Sequence, residues 1–174
     1  KKELLIYSYR VAGTVGLMMA KILNVKKENS LKAAIDLGIA MQLTNIARDV
    51  VEDNKRNRTY IDSNFESIKN TLNTADVFYD SSFYSIKDIP INCRFAILVA
   101  RRVYRQIGNN IARKKNIENY KKAGKIYVSN FGKFFQTILC AFDFFILLVS
   151  KTKIHNREIE HQIIKEEINL NERI

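Results

Sequence analysis

The stretch that most constrains this chain is Leu37 to Arg58, LGIAMQLTNIARDVVEDNKRNR. Wound as a helix over 33–53 at about 100° per residue, it places Gln42, Asn45, Asp49 and Asp53 within one arc roughly 80° wide. Most of the residues between them (Leu37, Ile39, Met41, Leu43, Ile46, Ala47, Val50) are apolar. The helix is therefore expected to be buried nearly all round, with its polar stripe on an internal cavity. Two carboxylates and an amide oxygen at one-turn intervals make a row of hard oxygen ligands. Such a row suits Mg²⁺ that keeps several waters and is completed by a substrate phosphate, with Asn45, Asp49 and Asp53 as the ligands. The rival reading neutralises the carboxylates within the helix, through Arg48 or Arg56. Either way, carboxylates in an apolar run need a cation beside them.

The rest of the chain is read as all-α. Six glycines and one proline in 174 residues leave little of the punctuation that strands and tight turns require, while apolar positions recur at three and four. Hydrophobic content of 47% is enough for one core, so residues 1–150 are taken as one helical domain and 151–174 as a charged amphipathic tail. The formal charge of +11 suits an anionic partner: diphosphate, an anionic membrane surface or nucleic acid. No nucleic-acid module or aromatic-interleaved basic patch accompanies it, so nucleic acid is set aside. Cys93 and Cys140 have no metal-ligand spacing and read as small buried hydrophobes of a reducing compartment. His155 and His161, six apart in a polar stretch, read as surface residues.

A first helix is expected over 4–23, with Tyr7, Val11, Val15 and Met18 or Met19 on one face. Gly13 and Gly16 would allow close approach of a second helix or of a ligand. Ser30 is expected to cap the motif helix, Leu31 to Glu52. Residues 64–91 read as a mobile connector or short helices, and Ile91 to about Lys115 as a helix with Ala96, Val99, Val103, Ile107 and Ile111 in register. The run FFQTILCAFDFFILLV, Phe134 to Val149, is too short at this length to span a bilayer. It is expected to be a core helix or one docked on a membrane surface. Ile159, Ile163, Ile164 and Ile168 suggest a short amphipathic helix at the periphery.

Two motifs together carry a resemblance: YSYRVAGTVGLMM (Tyr7 to Met19) and LGIAMQLTNIARDVVED (Leu37 to Asp53). At this separation they resemble the second half of the squalene/phytoene synthase family, nearest the phytoene synthases, with a weaker return at AILVARRVYRQIG, Ala96 to Gly108. The resemblance implies an isoprenoid-synthase helical bundle around a central cavity. It also implies Mg²⁺-dependent head-to-head joining of two prenyl diphosphates, such as two geranylgeranyl diphosphates giving phytoene through a cyclopropyl diphosphate. On that reading Asp49, Asp53 and Tyr7 are catalytic, and Val11 and Val15 line an apolar tunnel. Gln42, Asn45, Arg48, Arg58, Tyr60 and Tyr104 then meet the substrate's diphosphate end. The implied setting is cytoplasmic and peripheral to a membrane.

The sequence also departs from the family pattern. Asn57 stands in place of a glycine, Ile61-Asp62 in place of Leu-Pro, and Lys121 and Lys122 where an arginine is expected. D-x-x-x-D does not occur before Asp49, although the family carries two such motifs on facing helices. The chain opens on Lys-Lys-Glu and has no signal-peptide pattern. A fragment is therefore expected, with little activity unless a separate N-terminal half joins it. The alternative is a non-catalytic relative retained as a membrane-associated binding or assembly module.

Overall fold

The computed structural model describes residues 1–150 and 159–170. Its main helices are α1 (Lys2–Ser8), α2 (Thr14–Ile22), α3 (Glu28–Lys55), α4 (Phe65–Ser82), α5 (Ile91–Ala112), α6 (Ile117–Ala123), α7 (Asn130–Val149) and α8 (Ile159–Ile163). No strand occurs among the described residues, and the architecture is the all-α bundle expected. The motif helix α3 is its axis: α1 and α2 lie along one side, α4 along another, α5 closes the layer and α7 packs on α5.

Helices α1 and α2 form one rod, joined by a π-helical turn over Tyr9–Gly13. An inserted π turn shifts the side-chain register, and Val11, Val15 and Met19 all emerge on an exposed face. The glycines serve helix packing. A Cβ on Gly16 would lie 2.1 Å from the Ala34 carbonyl oxygen, and one on Gly38 would lie 2.2 Å from that of Ala12. The rod and α3 thus touch backbone to backbone, with Leu17, Ile35 and Ile39 filling the seam.

Several sequence expectations are revised. α3 starts three residues before Leu31, and Ser30 is not its cap. Its hydroxyl donates instead to Asp88 at 2.6 Å, alongside Lys27 at 2.7 Å. Residues 64–91 are no loose connector. The 18-residue α4, capped by Asn64, buries Ile68, Leu72, Ala75, Phe78 and Tyr79. Ser81 and Ser82 return their hydroxyls to the carbonyls of Phe78 and Tyr79, so a stretch that looks irregular stays helical. His161 is buried, between the ring of Phe78 and the Asp36 carboxylate 3.4 Å away. Ile164 is fully buried in the core with Leu5 and Phe78, so residues 159–170 are not peripheral. His155 and the rest of the tail lie outside the described residues.

The Asp88 clasp yields a stability prediction. Burial alone would raise the Asp88 carboxyl, but the bonds from Lys27 and Ser30 outweigh it and hold it below its ordinary value of 3.8. A carboxylate depressed in the folded state stabilises fully above its unfolded pKa, and that contribution is lost as pH falls through the folded value. Asp88→Asn is expected to cost about 1 kcal/mol at neutral pH. In urea melts, its difference from wild type should shrink as pH falls through the depressed folded-state value of Asp88, below the ordinary 3.8.

Candidate functional site

The site lies on α3 and takes its other walls from the α1–α2 rod, the segment 82–89 and α5. A cavity of about 380 Å³ is bounded by Val11, Val15 and Met19 of the rod, Leu37, Met41, Gln42 and Asn45 of α3, Ile86 and Ile89, and Ile97, Ala100 and Tyr104 of α5. Nearly every wall side chain is apolar, and since Val11, Val15 and Met19 are each close to half exposed, the cavity is open on the side of the rod. Gln42, Asn45 and Tyr104 are its polar groups beside three serines. Asn45 Oδ1 is buried and has no hydrogen-bond partner. A buried amide oxygen without a donor is a standing cost, and native proteins keep few of them.

One turn on, Asp49 is held by its neighbour. Arg48 Nε donates to Asp49 Oδ1 at 2.8 Å and Nη2 to Oδ2 at 2.6 Å, so the intrahelical pairing weighed above exists, through Arg48. Lys125 Nζ stands 3.5 Å from Asp49 and 2.8 Å from Glu52. Burial would raise the Asp49 carboxyl, but Arg48 and Lys125 overcome it and leave it low. Asp53 behaves oppositely: partial burial and the charge of Asp49 push its carboxyl up, against Arg58 and Arg56. Asp53 therefore carries a charge its present neighbours do not fully compensate.

Beyond Asp53 the chain leaves α3 through a Schellman turn. Arg58 N–H donates to the Asp53 carbonyl and Asn57 N–H to that of Asn54, both typical of this cap. Asn57 sits at φ 57°, a left-handed conformation that Asn tolerates better than other side-chain-bearing residues. The substitution for glycine thus preserves the turn. It sets Asp53, Arg58 and Tyr60 around one small crevice. Tyr7 closes this end: its hydroxyl donates to that of Tyr60 at 3.0 Å, with ring centroids 4.9 Å apart. The bond to Tyr60, then burial, raises the Tyr7 phenol, so it stays protonated as a donor.

The candidate residues therefore fall into three adjoining groups. Val11, Val15, Gln42, Asn45 and Tyr104 line the cavity, Arg48 and Asp49 form an ion pair one turn further on, and Tyr7, Asp53, Arg58 and Tyr60 gather at the end of α3. Lys121 and Lys122 are exposed at the end of α6, and the lysine that reaches Asp49 is Lys125, beyond the left-handed Gly124. Sequence periodicity does not reach into that loop. It also passes over Tyr120, which is buried and donates to the carbonyls of Ala47 and Arg48 at 3.0 and 2.7 Å. Burial pushes its phenol up to about 12, so it remains a donor clamping α6 to the motif helix. A second D-x-x-x-D, Asp76 and Asp80 on α4, is taken up by Arg105.

Comparison with known proteins now bears on this arrangement. The sequence profile of the squalene/phytoene synthase family matches residues 1–65, a span holding every site residue expected from the sequence except Tyr104. A 15-cis-phytoene synthase from a Paracoccus species is 36% identical over 154 residues, covering 75% of this chain and 50% of that protein. Over these spans the chain is similar to the squalene/phytoene synthase family. A phytoene synthase from Pseudescherichia vulneris is 38% identical over 128 residues, covering 62% of this chain and 41% of that protein. A 15-cis-phytoene synthase from Enterobacter agglomerans is 37% identical over 130 residues, with 63% and 44% covered. The chain thus spans half or less of the length of these three family relatives.

The donor set is also tested against Mg²⁺. Asn45, Asp49 and Asp53 offer only hard oxygens at one-turn steps, as Mg²⁺ requires. Asn45 Oδ1 lacks a donor, and Asp53 is under-compensated. The fork of Arg48 uses one lone-pair direction on each Asp49 oxygen and leaves others free. The residues fit the ion. Among the described residues, His, Cys, Asp and Glu alone form no cluster of three or more that could hold a metal, so a metal here would need the amide of Asn45 as well.

Proposed function

We propose that this chain forms the diphosphate-ionising half of a prenyltransferase site in carotenoid biosynthesis, one that joins two prenyl diphosphates head to head, a reading supported by its similarity to phytoene synthases. The observation that carries the reading is Asn45, whose unpartnered oxygen is buried at the point where the apolar cavity meets the carboxylates. Asn45, Asp49 and Asp53 would hold Mg²⁺, which supplies electrophilic neutralisation of the leaving diphosphate.

The chain's own residues supply the remainder. Val11, Val15, Leu37 and Met41 offer the prenyl chain an apolar wall. Arg48, Arg58 and Lys125 put positive charge where the diphosphate would sit, Arg48 as a planar fork and Lys125 as a point charge. The hydrogen-bonded hydroxyls of Tyr7 and Tyr60 stand at the same end. Gln42 and Tyr104 mark the boundary between the polar and apolar portions of the cavity.

Calorimetric binding of a non-hydrolysable geranylgeranyl diphosphate analogue tests the reading. Binding is expected with Mg²⁺ and to weaken at least 100-fold when the ion is withheld with a chelator. Asp53→Asn should weaken it at least tenfold. Binding by the folded chain that ignores both Mg²⁺ and Asp53 would sink the proposal.

A further inference from the structure

α7 has two unlike faces. Gln136, Cys140, Asp143 and Leu147 turn inward. Arg102 of α5 grips Asp143 with two bonds of 2.5 and 3.0 Å and donates to Gln136 at 3.2 Å. At the far end Lys87 Nζ donates to the Ser150 carbonyl at 3.1 Å. The helix is therefore pinned to α5 along its length. Phe131, Phe134, Phe135, Phe142, Phe145 and Val149 fall in an arc roughly 100° wide on the other side, and each is at least half exposed. This excludes the expectation of a core helix.

Length alone would let a 20-residue apolar helix cross a bilayer. The pinning argues against it, because a crossing α7 would draw Arg102, Gln106 and Arg105 of α5 into hydrocarbon. A protein partner is a poorer match as well, since interfaces commonly include a hydrogen bond for every 100–200 Å² or so and this arc offers no polar side chain. The charge beside it chooses the occupant. Arg113, Lys114, Lys115, Lys121 and Lys122 crowd the segment leading into α7, against a single acid, Glu118. All but Lys114 are exposed.

We propose that α7 is an in-plane membrane anchor, its phenylalanine face sunk into an anionic lipid surface and the basic segment 113–122 against the headgroups. An aromatic face joined to a polybasic stretch is the two-signal combination that gives stable but reversible attachment. The attachment also serves the cavity. Leu147 and Phe144 pack in one cluster with Ile86, Ile89 and Ile97, which line the cavity's wall, so the membrane-facing helix backs the apolar chamber. The inference requires nothing of the carboxylate stripe.

Flotation of the full chain with vesicles tests it. With equal parts phosphatidylglycerol and phosphatidylcholine the chain is expected to float, and with phosphatidylcholine alone to bind at least tenfold more weakly. Phe134→Ser combined with Phe142→Ser, and separately Lys121→Glu combined with Lys122→Glu, should each reduce binding to the anionic vesicles at least tenfold with unchanged circular dichroism, since all four side chains are exposed. Alkaline carbonate should release the bound chain. The proposal is overturned if the folded chain fails to float, floats equally with both lipids or in both variants, or resists carbonate as a spanning helix would. It is overturned equally if the phenylalanine face proves covered by a second copy in sedimentation and no vesicle binding is seen.

Discussion

Gly38→Val is expected to lower the melting temperature by roughly 10 °C, the largest stability effect of any single substitution considered for this chain. The cause is at the seam between the α1–α2 rod and α3. A Cβ at Gly38 would stand 2.2 Å from the Ala12 carbonyl oxygen and 2.7 Å from its carbon. Both are backbone atoms of a helix, so no rotamer change relieves the overlap. The helices must separate, and with them the packing of Leu17, Ile35 and Ile39, at about 3 kcal/mol. The gain in helix propensity on leaving glycine offsets less than about 1 kcal/mol of that. Gly108→Ala is the control. Its Cβ would meet only the end of the Leu72 side chain, at 3.2 Å, so a change within about 0.5 kcal/mol of wild type is expected. Differential scanning calorimetry of the two variants separates a backbone contact from a general cost of replacing helical glycines.

That seam shows what the sequence made legible and what it did not. The period of the motif helix was readable because apolar residues surround Gln42, Asn45, Asp49 and Asp53 on three sides, and only a buried helix needs that pattern. Gly13 and Gly16 were visible as small positions. Whether they face a helix or a ligand depends on what lies opposite, which spacing within one helix cannot encode. α4 was hidden for another reason: Phe78, Tyr79, Ser81 and Ser82 have modest helix propensity, and tertiary burial against α3 overrides it. His161 and Ile164 were hidden by the charged sequence around them, since Glu160 and Glu167 pair with Lys1 and Arg10 and so mask a segment that closes the core. Lys125 lies in a loop where no periodicity operates. Asn57 departs from the family's glycine, yet Asn reaches the required left-handed φ and the Schellman bonds form.

The second large effect is a pair of opposite signs within the stripe. Asp49→Asn is expected to weaken Mg²⁺-dependent binding of the prenyl diphosphate analogue at least 100-fold, and also to destabilise the fold by about 1 kcal/mol. Arg48 and Lys125 both lose the charge that now faces them, in a setting only partly open to water. Asn45→Leu should part the two readouts. Leucine has nearly the same size and removes the buried Oδ1 that has no donor, so the fold is expected to gain about 0.5–1 kcal/mol, while analogue binding falls on the order of tenfold with the loss of one oxygen ligand. A residue kept for packing would lose stability on substitution and leave binding alone. A residue kept for its oxygen does the reverse, because the strain of an unsatisfied polar atom persists only where function draws on it. Thermal melts set beside calorimetric titrations of wild type, Asn45→Leu and Asp49→Asn decide the matter. If Asn45→Leu destabilises the chain and binds the analogue as wild type does, the amide is a structural group and the metal set loses its third oxygen.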